Sequence, residues 1–170
     1  MKQEGVMESR AKLLGHPIHQ QLIVFPLGLL GMAVIFDGIS YLTGDPNWTS
    51  AAFYMIGAGI VTGLLAAIFG LWDYIAIPSG TRAKRIGALH GIGNVFVILL
   101  FVLSFGMRWS NPAYPPMSAY LCSIAGLLLA LMTGWLGGEL VDRLGVGVDE
   151  GAHLDAPSSL TQERIPVVRR

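Results

Sequence analysis

The chain is short of charge. Only 13% of its 170 residues are Asp, Glu, Lys or Arg, where a soluble domain carries about 25%, and that shortfall excludes an ordinary water-soluble globule. Eleven acidic residues cancel eleven basic ones, so no net field draws in nucleic acid or steers an acidic substrate, and no nucleic-acid partner is expected. Cysteine occurs once, as Cys122 in an apolar run, which excludes an intramolecular disulfide and every Cys-based metal motif. A thiol in apolar surroundings is little ionised, so Cys122 reads as packing rather than redox chemistry. Neither a Ser-His-Asp arrangement nor a Gly-rich phosphate loop occurs, and no catalytic residue is expected.

The charges that do exist are gathered at the ends: five in residues 1–15, nine in 141–170 and eight in between. Four apolar runs fill the middle, Leu22–Leu42, Ala51–Ile77, Ile86–Met107 and Met117–Leu140, each reaching the roughly 20 residues that a helix needs to cross a bilayer. A polar stretch precedes the first run and no small-x-small cleavage pattern follows it, so it reads as a retained span. The linkers are short and carry turn residues, Gly44-Asp45-Pro46-Asn47, Pro78-Ser79-Gly80 and Asn111-Pro112-Ala113-Tyr114-Pro115-Pro116. Short connections make antiparallel neighbours. The expected fold is all-α, an integral membrane up-down-up-down four-helix bundle. It divides into a cytoplasmic N-terminal segment (1–15), a four-span domain (16–148) and a mobile cytoplasmic tail (149–170).

Orientation follows from the cations. Lys2, Arg10, Lys12, Arg82, Lys84, Arg85 and Arg143 flank one side and Arg108 the other, with Arg164, Arg169 and Arg170 too distant to count. This predicts both termini on the cytoplasmic side of the inner membrane. Small residues recur at packing spacing, Gly59, Gly63, Ala67 and Gly70 in the second run, Gly126, Ala130 and Gly134 in the fourth. Gly63-Leu64-Leu65-x-Ala67 with Trp72 is echoed by Gly126-Leu127-Leu128-x-Ala130 with Trp135. The echo predicts two hairpins related by a pseudo-two-fold axis along the membrane normal.

Ionisable residues within or beside the runs are few: His16, His19, Asp37, Asp73, His90, Glu139 and Asp142. Such residues are costly in lipid and mark function by default. His19, Asp73, His90 and Glu139 all fall near the cytoplasmic ends of their runs, which predicts one polar layer. His16 and His19 are one turn apart. His90 and Asn94 share a helix face beside Gly87 and Gly91, and Asn94, about 12 Å into the span, needs a polar partner. Three readings fit. The first is structural: the histidines join helices, Asp73 pairs with Arg82, Lys84 or Arg85, and the protein is a scaffold without cofactor. The second is a cofactor site, either haem b between His19 and His90 on diagonal helices with Asn94 beside them, or a divalent metal held by His16, His19, Asp73, His90 and Glu139. The third is a proton-linked small-solute pathway. At the other end, Asp37 and Arg108 lie at one level and are expected to form a structural ion pair.

These residues also resemble a family. Gly15-His16-Pro17-Ile18-His19, Phe25-Pro26, Asp37, Trp48, Gly70-x-x-Asp73, His90-x-x-x-Asn94, Gly137-Gly138-x-Leu140-Val141 and Gly145-Val146-Gly147-Val148 look like the bacterial predicted membrane proteins called domain of unknown function 2231, over about residues 13 to 148. The resemblance implies a four-helix inner-membrane domain. Some relatives are joined to Rieske-type or cytochrome-like modules, which implies a redox association, here with a separate redox protein as partner. Some place a histidine before the Gly-Gly pair, where this chain has Trp135. A homo-oligomer is compatible with the pattern.

Overall fold

The computed structural model describes residues 5–161. Residues 1–4 and 162–170, and with them Lys2, Arg164, Arg169, Arg170 and the last part of the expected tail, lie outside the described residues.

A two-stranded hairpin comes first, β1 (Lys12–Leu13) with β2 (His16–Pro17), paired antiparallel. Its two-residue turn has positive φ at both Leu14 and Gly15, the backbone twist that a tight hairpin needs. Pro17 then opens α1 (Ile18–Leu22), and α2 (Val24–Thr43) continues it as one apolar span, Ile18–Thr43. The others are α3 (Pro46–Ala76), α4 (Arg82–Arg108) and α5 (Met117–Gly138), the last extended by a π-helical turn, Glu139–Arg143. Among the described residues, four helices are long and apolar enough to cross a membrane.

Two of the helices start ahead of their hydrophobic runs because polar caps begin them early. The Asp45 side chain accepts from the Asn47 N–H and Pro46 fills the first turn, so α3 begins ahead of Ala51. The Thr81 side chain accepts from the Lys84 N–H and starts α4 ahead of Ile86. At the fourth span the π turn carries the helix past Leu140.

The helices close a ring in which α2 packs mainly on α3 and α4 mainly on α5, with α3 against α4 and α2 against α5. The first and third spans therefore face each other diagonally. His19 at the start of the first span bonds to Ala66 near the end of α3, while Ser40 near the end of α2 bonds to Thr49 near the start of α3, so the two run antiparallel. The centre is a cluster of Leu30, Ala33, Ala52, Ile56, Val97 and Phe101.

The two hairpins repeat one another. Buried Ala52, Ile56, Gly59 and Ala66 on α3 match Ala119, Ser123, Gly126 and Thr133 on α5 at one constant separation. Leu30, Ala33 and Asp37 on α2 match Phe101, Ser104 and Arg108 on α4 at another. Contacts agree: a Cβ added at Gly59 would meet Leu30 at 2.6 Å, and one at Gly126 would meet Phe101 at 2.8 Å. Gly126 thus corresponds to Gly59 rather than Gly63, and the echo read from the sequence is out of register by one helical turn. Trp72 and Trp135 are not equivalent.

The segment before the first span is docked, not free-standing. Met7 bridges to Val146 in parallel, its N–H donating to the Gly145 carbonyl at 2.9 Å and its carbonyl accepting from the Gly147 N–H at 2.6 Å. Positive φ at Gly145 and Gly147 turns the chain so that this strip can pair. Lys12 pairs with Glu8 at 2.8 Å and with Asp149, and Glu8 accepts from the Glu150 N–H at 3.1 Å.

Candidate functional site

Two polar centres straddle the diagonal between the first and third spans, one at each end of the central apolar cluster. Equivalent residues that touch must lie at the axis relating the hairpins, and both centres do this.

At the first, Asp37 and Arg108 are 71 positions apart and form a two-pronged pair: Arg108 Nη1 donates to Asp37 Oδ1 at 2.8 Å and Nη2 to Oδ2 at 2.6 Å. Arg108 Nε donates to Ser104 Oγ at 3.1 Å, Nη2 lies 3.4 Å from Ser123 Oγ, and the guanidinium sits 5.1 Å from the centroid of the Tyr120 ring. Ser104 and Ser123 pass their bonds on to the Ala119 carbonyl. Arg108 is fully buried and Asp37 nearly so. A carboxylate and a guanidinium removed from water in this way hold because both carboxylate oxygens and all three guanidinium nitrogens have partners.

The second centre contains the histidines. His19 Nδ1 lies 2.8 Å from the Ala66 carbonyl and His90 Nδ1 lies 2.9 Å from the Thr133 carbonyl. A carbonyl can only accept, so both rings carry their proton on Nδ1, and the neutral imidazole keeps its lone pair on Nε2. The repeat extends to this detail: Ala66 and Thr133 are equivalent, and so are Gly70 and Gly137, one turn further on. A Cβ at Gly70 would meet the His19 ring at 2.8 Å and one at Gly137 would meet the His90 ring at 3.2 Å. Glycine at these positions makes room for each imidazole. The two ring centroids are 6.4 Å apart with planes at 85°.

Asn94 finds its partners here. Its Nδ2 donates to the His90 carbonyl at 2.8 Å and lies 3.3 Å from His90 Nε2, while Thr133 Oγ1 lies 3.2 Å from its Oδ1. The two halves differ at this point: His90 Nε2 is met by an amide, and no such bond reaches His19 Nε2 among the described residues.

The remaining candidates are elsewhere. Both oxygens of Asp73 are bonded by Ser9 Oγ, at 2.9 and 2.8 Å, and Oδ1 also accepts from the Arg10 N–H at 2.8 Å. None of the expected partners pairs with it among the described residues: Arg82 pairs with Glu139 at 2.6 Å, and Lys84 donates to the Tyr74 carbonyl at 2.8 Å and lies over the Tyr74 ring. His16 is exposed and lies 3.3 Å from Ser159 Oγ. The expected layer of His16, His19, Asp73, His90 and Glu139 therefore does not gather into one metal site. Among the described residues no group of three or more His, Cys, Asp or Glu side chains could hold an ion. The proton-linked pathway meets a similar obstacle, because the apolar cluster separates the histidines from Asp37. Sequence reasoning missed Ser9, Thr133 and the two glycines under the rings. Their only signal was the spacing of Gly70 from Asp73 and of Gly137 from the end of the fourth span.

A family model described as "Predicted membrane protein (DUF2231)" matches residues 15–150. No curated protein and no solved structure matches the chain. The match spans most of the chain, and the protein belongs to this family.

Proposed function

We propose that this DUF2231 protein is a small subunit of the cytoplasmic membrane, with both termini inside, that holds haem b between His19 and His90 and serves a separate redox protein. One observation carries the reading: imidazoles from diagonally opposed spans meet at a centroid separation of 6.4 Å, each with Nδ1 bonded to a backbone carbonyl. That Nδ1 bond is the arrangement that fixes tautomer and ring angle in metal-ligating histidines.

Donor number decides between haem and a bare ion. Zinc in protein sites takes about four ligands, and only two imidazoles meet here, whereas haem brings its own four nitrogens and needs at most two more. Bound haem would supply one-electron chemistry. The chain's own part is to orient the two imidazoles: the Ala66 and Thr133 carbonyls hold the Nδ1 sides, and Asn94, now 3.3 Å from His90 Nε2, would have to give up that contact and keep only its bond to the His90 carbonyl for the nitrogen to serve as a ligand.

The test is spectroscopic. Full-length protein purified in mild detergent from haem-replete cells is expected to show a Soret band at one haem per chain, and His19→Ala and His90→Ala are each expected to abolish it. A colourless protein that takes up no haem when hemin is supplied overturns the proposal.

The scaffold reading has an observation of its own. Among the described residues no buried side-chain nitrogen or oxygen lacks a hydrogen-bond partner, so the bundle closes without a ligand. It predicts that the same two substitutions cost about 1 kcal/mol for each hydrogen bond lost, one at His19 and two at His90, and remove no spectral feature.

A further inference from the structure

Arg10 is out of place for a residue so close to a span. Its backbone is fixed, since its N–H donates to Asp73 Oδ1 at 2.8 Å. Its side chain is exposed and forms no salt bridge among the described residues. The Asp73 carboxylate that fixes its backbone is taken up by Ser9 Oγ, which bonds both oxygens. Arg10 instead borders a groove of about 240 Å³ whose other walls are Ile68, Leu71, Trp72 and Ile75. Those four residues form one stripe along α3 at helical spacing and are all more than half exposed. In a four-span protein such a stripe faces acyl chains.

We propose that this groove binds one anionic phospholipid, with the phosphate on Arg10 and an acyl chain along the α3 stripe. A guanidinium at the edge of hydrocarbon needs an anion, and its planar fork matches phosphate oxygens two at a time. Trp72 suits the same occupant, because an indole at the interface offers an apolar face to the chain and an N–H to the headgroup. An amphiphile with one negative head and an apolar tail complements one cation over an apolar wall. A partner helix would have to bring a carboxylate to this same level to do as well. Zwitterionic lipid also carries a phosphate, but its ammonium opposes Arg10, so the site discriminates by net charge.

Native mass spectrometry of the full chain with equimolar phosphatidylglycerol and phosphatidylcholine tests this. One basic residue near the surface is worth about 1 kcal/mol toward anionic lipid, or about fivefold. The wild type is expected to retain phosphatidylglycerol about fivefold over phosphatidylcholine in the first binding step, and Arg10→Gln to bring that ratio close to one. Arg143→Gln removes the same charge at the same end but lies outside the groove, and is expected to leave the preference intact. Equal retention by the wild type, an unchanged ratio in Arg10→Gln, or an equal fall in Arg143→Gln overturns the site. If Arg10→Gln is not recovered folded, brominated lipids carry the test through Trp72. The quenching difference between wild type and Trp72→Phe is expected to be larger for phosphatidylglycerol than for phosphatidylcholine, and equal quenching overturns the proposal.

Discussion

The two ends of the diagonal contact obey one geometry and opposite chemistry. At the Asp37 end, equivalent positions in the two hairpins hold residues of opposite charge, and each completes the other. At the histidine end, equivalent positions hold the same residue, and each imidazole turns its Nδ1 to a backbone carbonyl rather than to the other ring. Opposite charges on an axis satisfy each other, whereas identical side chains on an axis cannot, and each imidazole bonds a carbonyl of the neighbouring helix instead. The difference assigns stability to the Asp37 end, and the ligand chemistry proposed above rests on the histidine end alone.

Breaking the closed end is expected to have the largest effect. Arg108→Leu or Asp37→Leu alone leaves a buried charge without its partner, which costs about 3–5 kcal/mol, read as unfolding in detergent. Because the two positions are equivalent, the exchange Asp37→Arg with Arg108→Asp is expected to fall between the single variants and the wild type. Recovery should be partial, since Ser104 and Ser123 serve the guanidinium at 108, whereas their equivalents Ala33 and Ile56 offer no oxygen. An exchange no better than either single variant would show that the pseudo-symmetry stops at the backbone.

The open end should respond to smaller changes. Gly70→Ala places a methyl 2.8 Å from the His19 ring and Gly137→Ala one 3.2 Å from the His90 ring. Overpacking of this kind costs about 1–3 kcal/mol, with Gly70→Ala the worse of the two. Both should displace an imidazole and weaken the Soret band more than they weaken folding, and equal losses in both measurements would return the histidines to a purely structural role.

How much of this was legible beforehand depended on range. The four spans were readable because bilayer thickness sets a length that hydropathy reports directly, and their ends were misjudged where Asp45 and Thr81 cap the helix among polar residues. Depth along each run put Asp37 level with Arg108, and the structure joins them. Depth could not tell which neighbour takes Asp73, because Ser9 reaches it from the N-terminal segment, outside the apolar runs whose depths were compared. The repeat was visible but misaligned, since Gly, Leu and Ala match in several registers of such a chain. Only buried polar positions such as Asp37 and Arg108, or contacts such as Gly59 on Leu30, fix the register.

The smallest expected effect separates that docked segment from both centres. Burial alone would lower the Lys12 pKa, but its bonds to Asp149 and Glu8 outweigh burial and hold it above the ordinary lysine value. A raised pKa means that the charged form is favoured on folding, so the contribution is complete below the unfolded value and fades as pH rises through the folded one. At neutral pH the pair is therefore fully present, and Lys12→Met is the practical way to remove it. The variant should exchange the Met7 and Gly147 amide hydrogens about two- to fivefold faster, the usual worth of a partly exposed ion pair, because those amides carry the strip that Lys12 ties down. Neither the Soret band nor global unfolding should move. If global unfolding moves with the exchange rates, the N-terminal strip is part of the bundle's own cooperative unit, and the division into a closed end and an open end must be extended to include it.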